Sequence, residues 1–169
     1  MDPYRFLDFS ARHIIRAWVK RLSKEHASRS IPWTCLSRPL SESTVALVST
    51  AGVALHAQVP FDQEGERRNP WWGDPTYRII PSTSTEKDVR LYHMHIDRRY
   101  GEADLDVLLP MHRLDELASR GGIVGKAAQH HYSIMGYQLQ TTVLEKETAP
   151  KILEDMLEQG VDAAALIPA

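Results

Sequence analysis

One cysteine, Cys35, stands in 169 residues. A disulfide within the chain and a thiolate zinc cage are therefore excluded. Long apolar runs are missing too: none approaches the roughly 18 residues that a membrane-spanning helix needs. A surplus of one charge is also absent, since 20 Lys and Arg face 22 Asp and Glu. A net charge of -2 supplies no field to gather nucleic acid. The opening MDPYRFLDFSARHIIRAWVKRL scatters charges among its apolar residues and so lacks the apolar core of a signal peptide. With no internal repeat and no address signal, the expected location is the cytoplasm.

What is present reads as a globular α/β chain. Hydrophobic residues at 43% and charged residues at 25% suit a chain that buries a real core. Residues 3 to 27 carry Leu7, Ile14, Ile15, Trp18 and Leu22 on one helical stripe, with Arg12, Arg16, Lys20 and Lys24 around it. This predicts an N-terminal amphipathic helix over residues 1–30, followed by an α/β domain over 31–169. TVALVSTAGVAL, residues 44 to 55, reads as a strand entering a small-residue turn at Ser49 and Thr50, which can offer backbone amides to an anion. Residues 57 to 90 read as a long excursion rich in Pro, Gly and charge. RLYHMHI (90 to 96) and DLDVLLP (104 to 110) read as strands, and MHRLDELASR as a helix stopped by Gly121 and Gly122. TAPKILEDMLEQG is the clearest helix, with Pro150 in its first turn and Gly160 as its stop. VDAAALI then reads as a parallel strand buried on both faces. The pattern predicts a largely parallel sheet flanked by helices.

Several groups could carry chemistry. On a strand, His93, His95 and Asp97 would share one face, and His-x-His beside a carboxylate suits a metal. The same letters begin a metallo-hydrolase signature, but Arg98 stands where its next His belongs. Two histidines on a partly buried face with satisfied hydrogen bonds read the pattern better. Asp74 lies in a Gly-Asp-Pro turn, followed by Tyr77 and by Arg78, which could bind a carboxylate or pair with Asp74. His131 and Tyr132 bring an acid/base group and a phenol beside Ser133 and Gly136. Cys35 has no partner thiol and reads as semi-buried.

PWT-x-LSRPLSESTVALVSTAGV, PFD, GDPTYRIIPS, HMHID, LLPMHRLDELASRGGIVGKAAQHHYSIMGY and ETAPKILEDMLEQGVDAAALIPA follow one another over residues 32 to 169. Together these segments resemble the glycine/sarcosine/betaine/D-proline reductase family, in the short form similar to its selenoprotein B. The resemblance implies an oxidoreductase subunit that reductively cleaves a bond α to a carboxylate in a small amino-acid-derived substrate. It implies a selenocysteine or cysteine just after Ala169, so that the chain is expected to be truncated before its redox motif and inactive as it stands. It further implies a pyruvoyl group on a partner subunit, a thioredoxin-like electron donor, and no cofactor within the chain itself.

On this reading His93 or His131 donates a proton, with Tyr132 beside them. Ser49, Thr50, Asp74, Tyr77 and Arg78 bind substrate, Arg78 through its carboxylate. The chain is expected to be a homo-oligomer that covers an exposed sheet edge. Two other readings stay open: a non-catalytic oligomeric scaffold or partner subunit, and a metal-dependent hydrolase built on His93, His95 and Asp97.

Overall fold

A computed structural model describes residues 9–27, 34–69 and 71–169. The chain divides into two compact units, residues 1–35 and 36–169. In the first, α1 spans Phe9–Ala27; residues 3 to 8 of the expected helix lie outside the described residues. Cys35 is exposed rather than semi-buried.

The second unit is organised around β1 (Thr44–Ser49), whose residues Val45 to Ser49 are all buried. Side chains alternate across a strand. Val45 and Leu47 therefore join a core with Ile80, Leu105, Leu109 and Met111 on one face. Ala46 and Val48 join Tyr132, Ile152 and Met156 on the other. The strand leads to β2 (Val53–Leu55), α2 (Gln63–Arg68), β3 (Tyr77–Pro81) and β4 (Val89–Leu91). Then come α3 (Arg98–Ala103), α4 (Met111–Ser119), β5 (Lys126–Ala127), β6 (His130–Ile134), α5 (Ala149–Glu158) and β7 (Ala163–Ile167).

β1 pairs in parallel with β5, β6 and β7, and β3 closes the sheet antiparallel to β6. β7 pairs along Val45 to Ser49, so β5 and β6 share the opposite edge of β1. The expected largely parallel sheet with flanking helices is thus observed, with β2 and β4 forming a separate antiparallel pair.

Three strand expectations fail for identifiable reasons. β4 stops at Leu91 because its partner β2 offers only three residues, and Met94–His95 then turn. DLDVLLP is a 3-10 turn over Leu105–Val107, because the Asp104 carboxylate accepts from Asp106 N at 3.0 Å and caps it. β7 is not buried on both faces. It pairs with β1 alone among the described strands, and its exposure alternates. Ala163, Ala165 and Ile167 pack on the first core, whereas Ala164 and Leu166 face outward, with Leu166 75% exposed.

Candidate functional site at the strand ends

Thr50 follows the carboxyl end of β1, where open parallel sheets place their chemistry. Its N–H donates to Ile167 O at 3.0 Å, and its Oγ1 accepts from Ala169 N at 2.9 Å. The ends of β1 and β7 are therefore tied together. The turn itself has no amide left for an anion. Ala51 N donates to Ser49 Oγ, Gly52 N to Ile134 O and Val53 N to Ser133 Oγ. Ser49 Oγ donates in turn to Leu108 O at 2.7 Å.

His93 enters beside this turn from the segment after β4. A methyl placed on Gly136 would lie 3.0 Å from both His93 Nε2 and Thr50 O, so glycine is needed there for the imidazole to approach. His93 Nδ1 accepts from His95 N at 3.1 Å, so the neutral ring carries its proton on Nε2, the atom nearest Gly136. Burial lowers the His93 pKa first, the neighbouring His95 lowers it further, and Glu66 opposes them.

The His95 ring stands edge-on to His93 at 5.8 Å and lies 4.7 Å from the Tyr137 ring. Its Nε2 is 2.7 Å from Glu66 Oε1. Glu66 is only 4% exposed and its second oxygen has no partner, whereas the His95 side chain is 43% exposed. A half-exposed imidazole backed by a buried carboxylate is held in one orientation, an arrangement suited to holding or passing a proton. Burial raises the Tyr137 phenol, and Glu66 raises it further.

Glu66 and Tyr137 are the members that sequence reasoning missed. Glu66 sits in the excursion read as irregular, 29 residues from His95, and no local pattern connects them. The α2 helix that carries it starts at Asp62, whose carboxylate accepts from Gly65 N at 2.8 Å.

Asp74 anchors that start from behind. Its buried carboxylate accepts from Asp62 N at 2.8 Å, Thr76 N at 2.8 Å and Thr76 Oγ1 at 2.5 Å. Four of the five Arg78 N–H groups are engaged, with Val59 O, Pro60 O, Thr76 Oγ1 and Tyr77 O. Its guanidinium lies 4.2 Å over the Phe61 ring. Tyr77 opens β3 opposite Ile134 and packs on the second core. Arg78→Ala should lower stability by about 2 kcal/mol and loosen residues 59–60, with Lys a poor substitute for the planar fork. Urea unfolding and limited proteolysis check this; a protease-resistant Ala variant of unchanged midpoint would contradict it.

His131 and Tyr132 are neighbours on β6 and point to opposite faces. His131 is fully buried, and its Nδ1 accepts from Leu47 N at 3.1 Å. The Tyr132 hydroxyl donates to Asp155 Oδ2 at 2.5 Å and accepts from Gln159 Nε2 at 2.8 Å. Burial, and then Asp155, push that phenol upward. Of the expected site residues, the fold therefore gathers Thr50, His93 and His95, and holds Ser49, Asp74, Tyr77, Arg78, His131 and Tyr132 in internal contacts.

Asp97 does not join His93 and His95. It caps α3 by accepting from Arg99 N at 3.2 Å and pairs with the Arg99 guanidinium at 2.7 Å. The shared strand face that the metal reading needed is absent, because these residues lie in a turn. Among the described residues no group of three or more His, Cys, Asp or Glu is arranged to hold a metal ion.

No family model and no solved structure matches the chain. Among curated proteins it is similar to the D-proline reductase subunit gamma of Acetoanaerobium sticklandii, 29% identical over 134 residues. The match covers 79% of this chain and 52% of that protein, so the chain spans about half the length of the relative. That similarity supports a distant relation to the proline/glycine reductase family.

Proposed function

We propose that the chain forms the substrate-side half of a reductase subunit that cleaves a bond α to a carboxylate in a small amino-acid-derived molecule. The supporting observation is the convergence of Thr50, His93 and the Ala169 backbone at the carboxyl ends of β1 and β7. A selenol or thiol set beside Thr50 would supply the redox chemistry, taking its electrons from a thioredoxin-like dithiol that becomes a disulfide. The substrate carbon gains a hydrogen and the leaving group takes a proton. In this proposal His93 Nε2–H donates that proton, and the contacts that link His93 to His95 and His95 to Glu66 support the assignment. The distant relative is named as a subunit, which supports assembly with other subunits; a pyruvoyl group on one of them is part of the proposal. No helix among the described residues is long and apolar enough to cross a membrane, and we place the protein in the cytoplasm.

Reading the gene beyond the Ala169 codon tests the proposal. A UGA or cysteine codon followed by an open frame is expected; a terminator with no usable frame beyond it would sink the reductase reading. In the full-length subunit assembled with its partners, His93→Ala should slow turnover about 100-fold or more. Replacing Arg120, which stands at the other end of α4 and pairs with Glu116, should leave turnover unchanged.

A further inference from the structure

His93 cannot take up a proton where it stands. Its Nδ1 lone pair already accepts from His95 N at 3.1 Å, and its Nε2 carries the hydrogen. His95 is arranged the other way. Its Nε2 stands 2.7 Å from Glu66 Oε1, and an ionised carboxylate only accepts, so this nitrogen bears the hydrogen. The Nδ1 lone pair is left over, on a side chain 43% exposed. Among the described residues no group donates to it.

The carboxylate behind the ring matters for what it lacks. Glu66 is 4% exposed, and its Oε2 has no partner. Asp155 offers the contrast within the same fold. Its Oδ2 meets the Tyr132 hydroxyl, Gln159 Nε2 and His130 Nδ1, so three groups share its charge. A buried carboxylate with a single imidazole beside it gains most when that imidazole becomes a cation. The other titratable groups against His95 are His93, edge-on at 5.8 Å, and Tyr137, whose ring lies 4.7 Å away. Burial favours the neutral form of both, so the charge that acts on the ring is that of Glu66.

We propose that His95 is the general base of the strand-end site: its Nδ1 takes the proton from a thiol attacking there, and Glu66 is the positioning residue that fixes the ring and stabilises the imidazolium. This rests on the reductase reading above. Cleavage of the substrate bond needs two electrons and two protons, and a dithiol closing to a disulfide releases both. The bond to the leaving group breaks, while a C–H bond and the S–S bond form. One thiol proton passes to His95, which gives it up as the substrate carbon or the leaving group is protonated. The imidazole therefore ends the cycle unchanged.

The full-length subunit assembled with its partners, supplied with dithiothreitol as the dithiol, tests the assignment. At about pH 7, His95→Ala should slow turnover roughly 100-fold with little change in the substrate KM, and added imidazole should restore part of the loss. Glu66→Gln should slow it about tenfold or more. Both losses should shrink toward about pH 9, where the dithiol ionises without help, whereas the His93→Ala loss should persist. The His95 side chain is half-exposed, so His95→Ala should keep the wild-type circular dichroism spectrum. Losses that neither imidazole nor high pH relieves would overturn the role of His95 and Glu66 and leave the reductase reading standing. A wild-type complex that cleaves no amino-acid-derived substrate would overturn that reading, and this inference with it.

Discussion

Replacing His131 with alanine should destabilise the protein by roughly 3 kcal/mol at pH 7.5, and that difference should nearly vanish at pH 4.5. The expectation begins with register. Thr44 pairs with Lys126, but Val48 pairs with Tyr132, so the β5–β6 side carries two more residues than β1 over the same stretch. The ladder breaks there, and Leu47 N–H meets the His131 imidazole at 3.1 Å in place of a carbonyl. Removing the ring leaves a buried donor unpaired and a void behind it.

Only neutral imidazole can accept that bond. Burial, reinforced by His130, pushes His131 from an ordinary 6.5 down to about 4. Between those values the unfolded chain takes up a proton that the folded one refuses, so wild type loses stability as pH falls through that window. The loss totals about 3 kcal/mol, and the alanine variant does not suffer it. Urea midpoints of both proteins at the two pH values measure the difference. A gap that stays constant from pH 7.5 to 4.5 would mean that the ring is not held neutral in the fold.

His131 also shows where sequence reading reaches its limit. HHYSIM displays an acid/base residue beside a phenol, and chemistry was a fair expectation from those letters. Whether an imidazole faces substrate or patches a sheet depends on a two-residue register offset between strands about 80 residues apart. No local pattern records that. α4 and α5 were legible because their 3.6-residue stripes and their Pro and Gly boundaries are local, whereas the six-residue helices α2 and α3 are too short to show a stripe. β1 was legible because burial on both faces leaves a continuous apolar run. The same reasoning failed for β7, since an apolar run also suits an edge strand whose outer face is bare. His93 and His95 were found as a pair, but on a strand that ends before them. Glu66, which completes their cluster, was hidden in a segment whose composition spoke only of a loop.

Gly73→Ala should be the most damaging single methyl in the second unit, lowering stability by about 3 kcal/mol or more, or preventing soluble expression. A Cβ at Gly73 would collide with the Tyr137 backbone carbonyl, which has no flexible end to yield. The two loops are clamped in addition by a short hydrogen bond from Gln138 Nε2 to Asp74 O. Forcing them apart moves Asp74 away from the start of α2 and Tyr137 away from His95. Gly121→Ala is the informative control. Its φ of +70 disfavours a side chain, yet a Cβ there meets nothing within 4 Å. Its penalty should be about 1 kcal/mol, the ordinary cost of a left-handed alanine. Parallel thermal melts separate the two, and equal losses would refute the claim that close approach, not backbone conformation, makes Gly73 indispensable.

The central position of β1 has a consequence for how the protein comes into being. Its own residues are synthesised well before its partners, since the first partner strand begins at Lys126 and the strand on its other edge at Ala163. During translation an apolar ribbon with both edges bare must wait on the order of ten seconds for its neighbours to emerge. Folding of β1 on the ribosome is therefore non-local, and the nascent chain is most prone to misassociation before β5, β6 and β7 emerge.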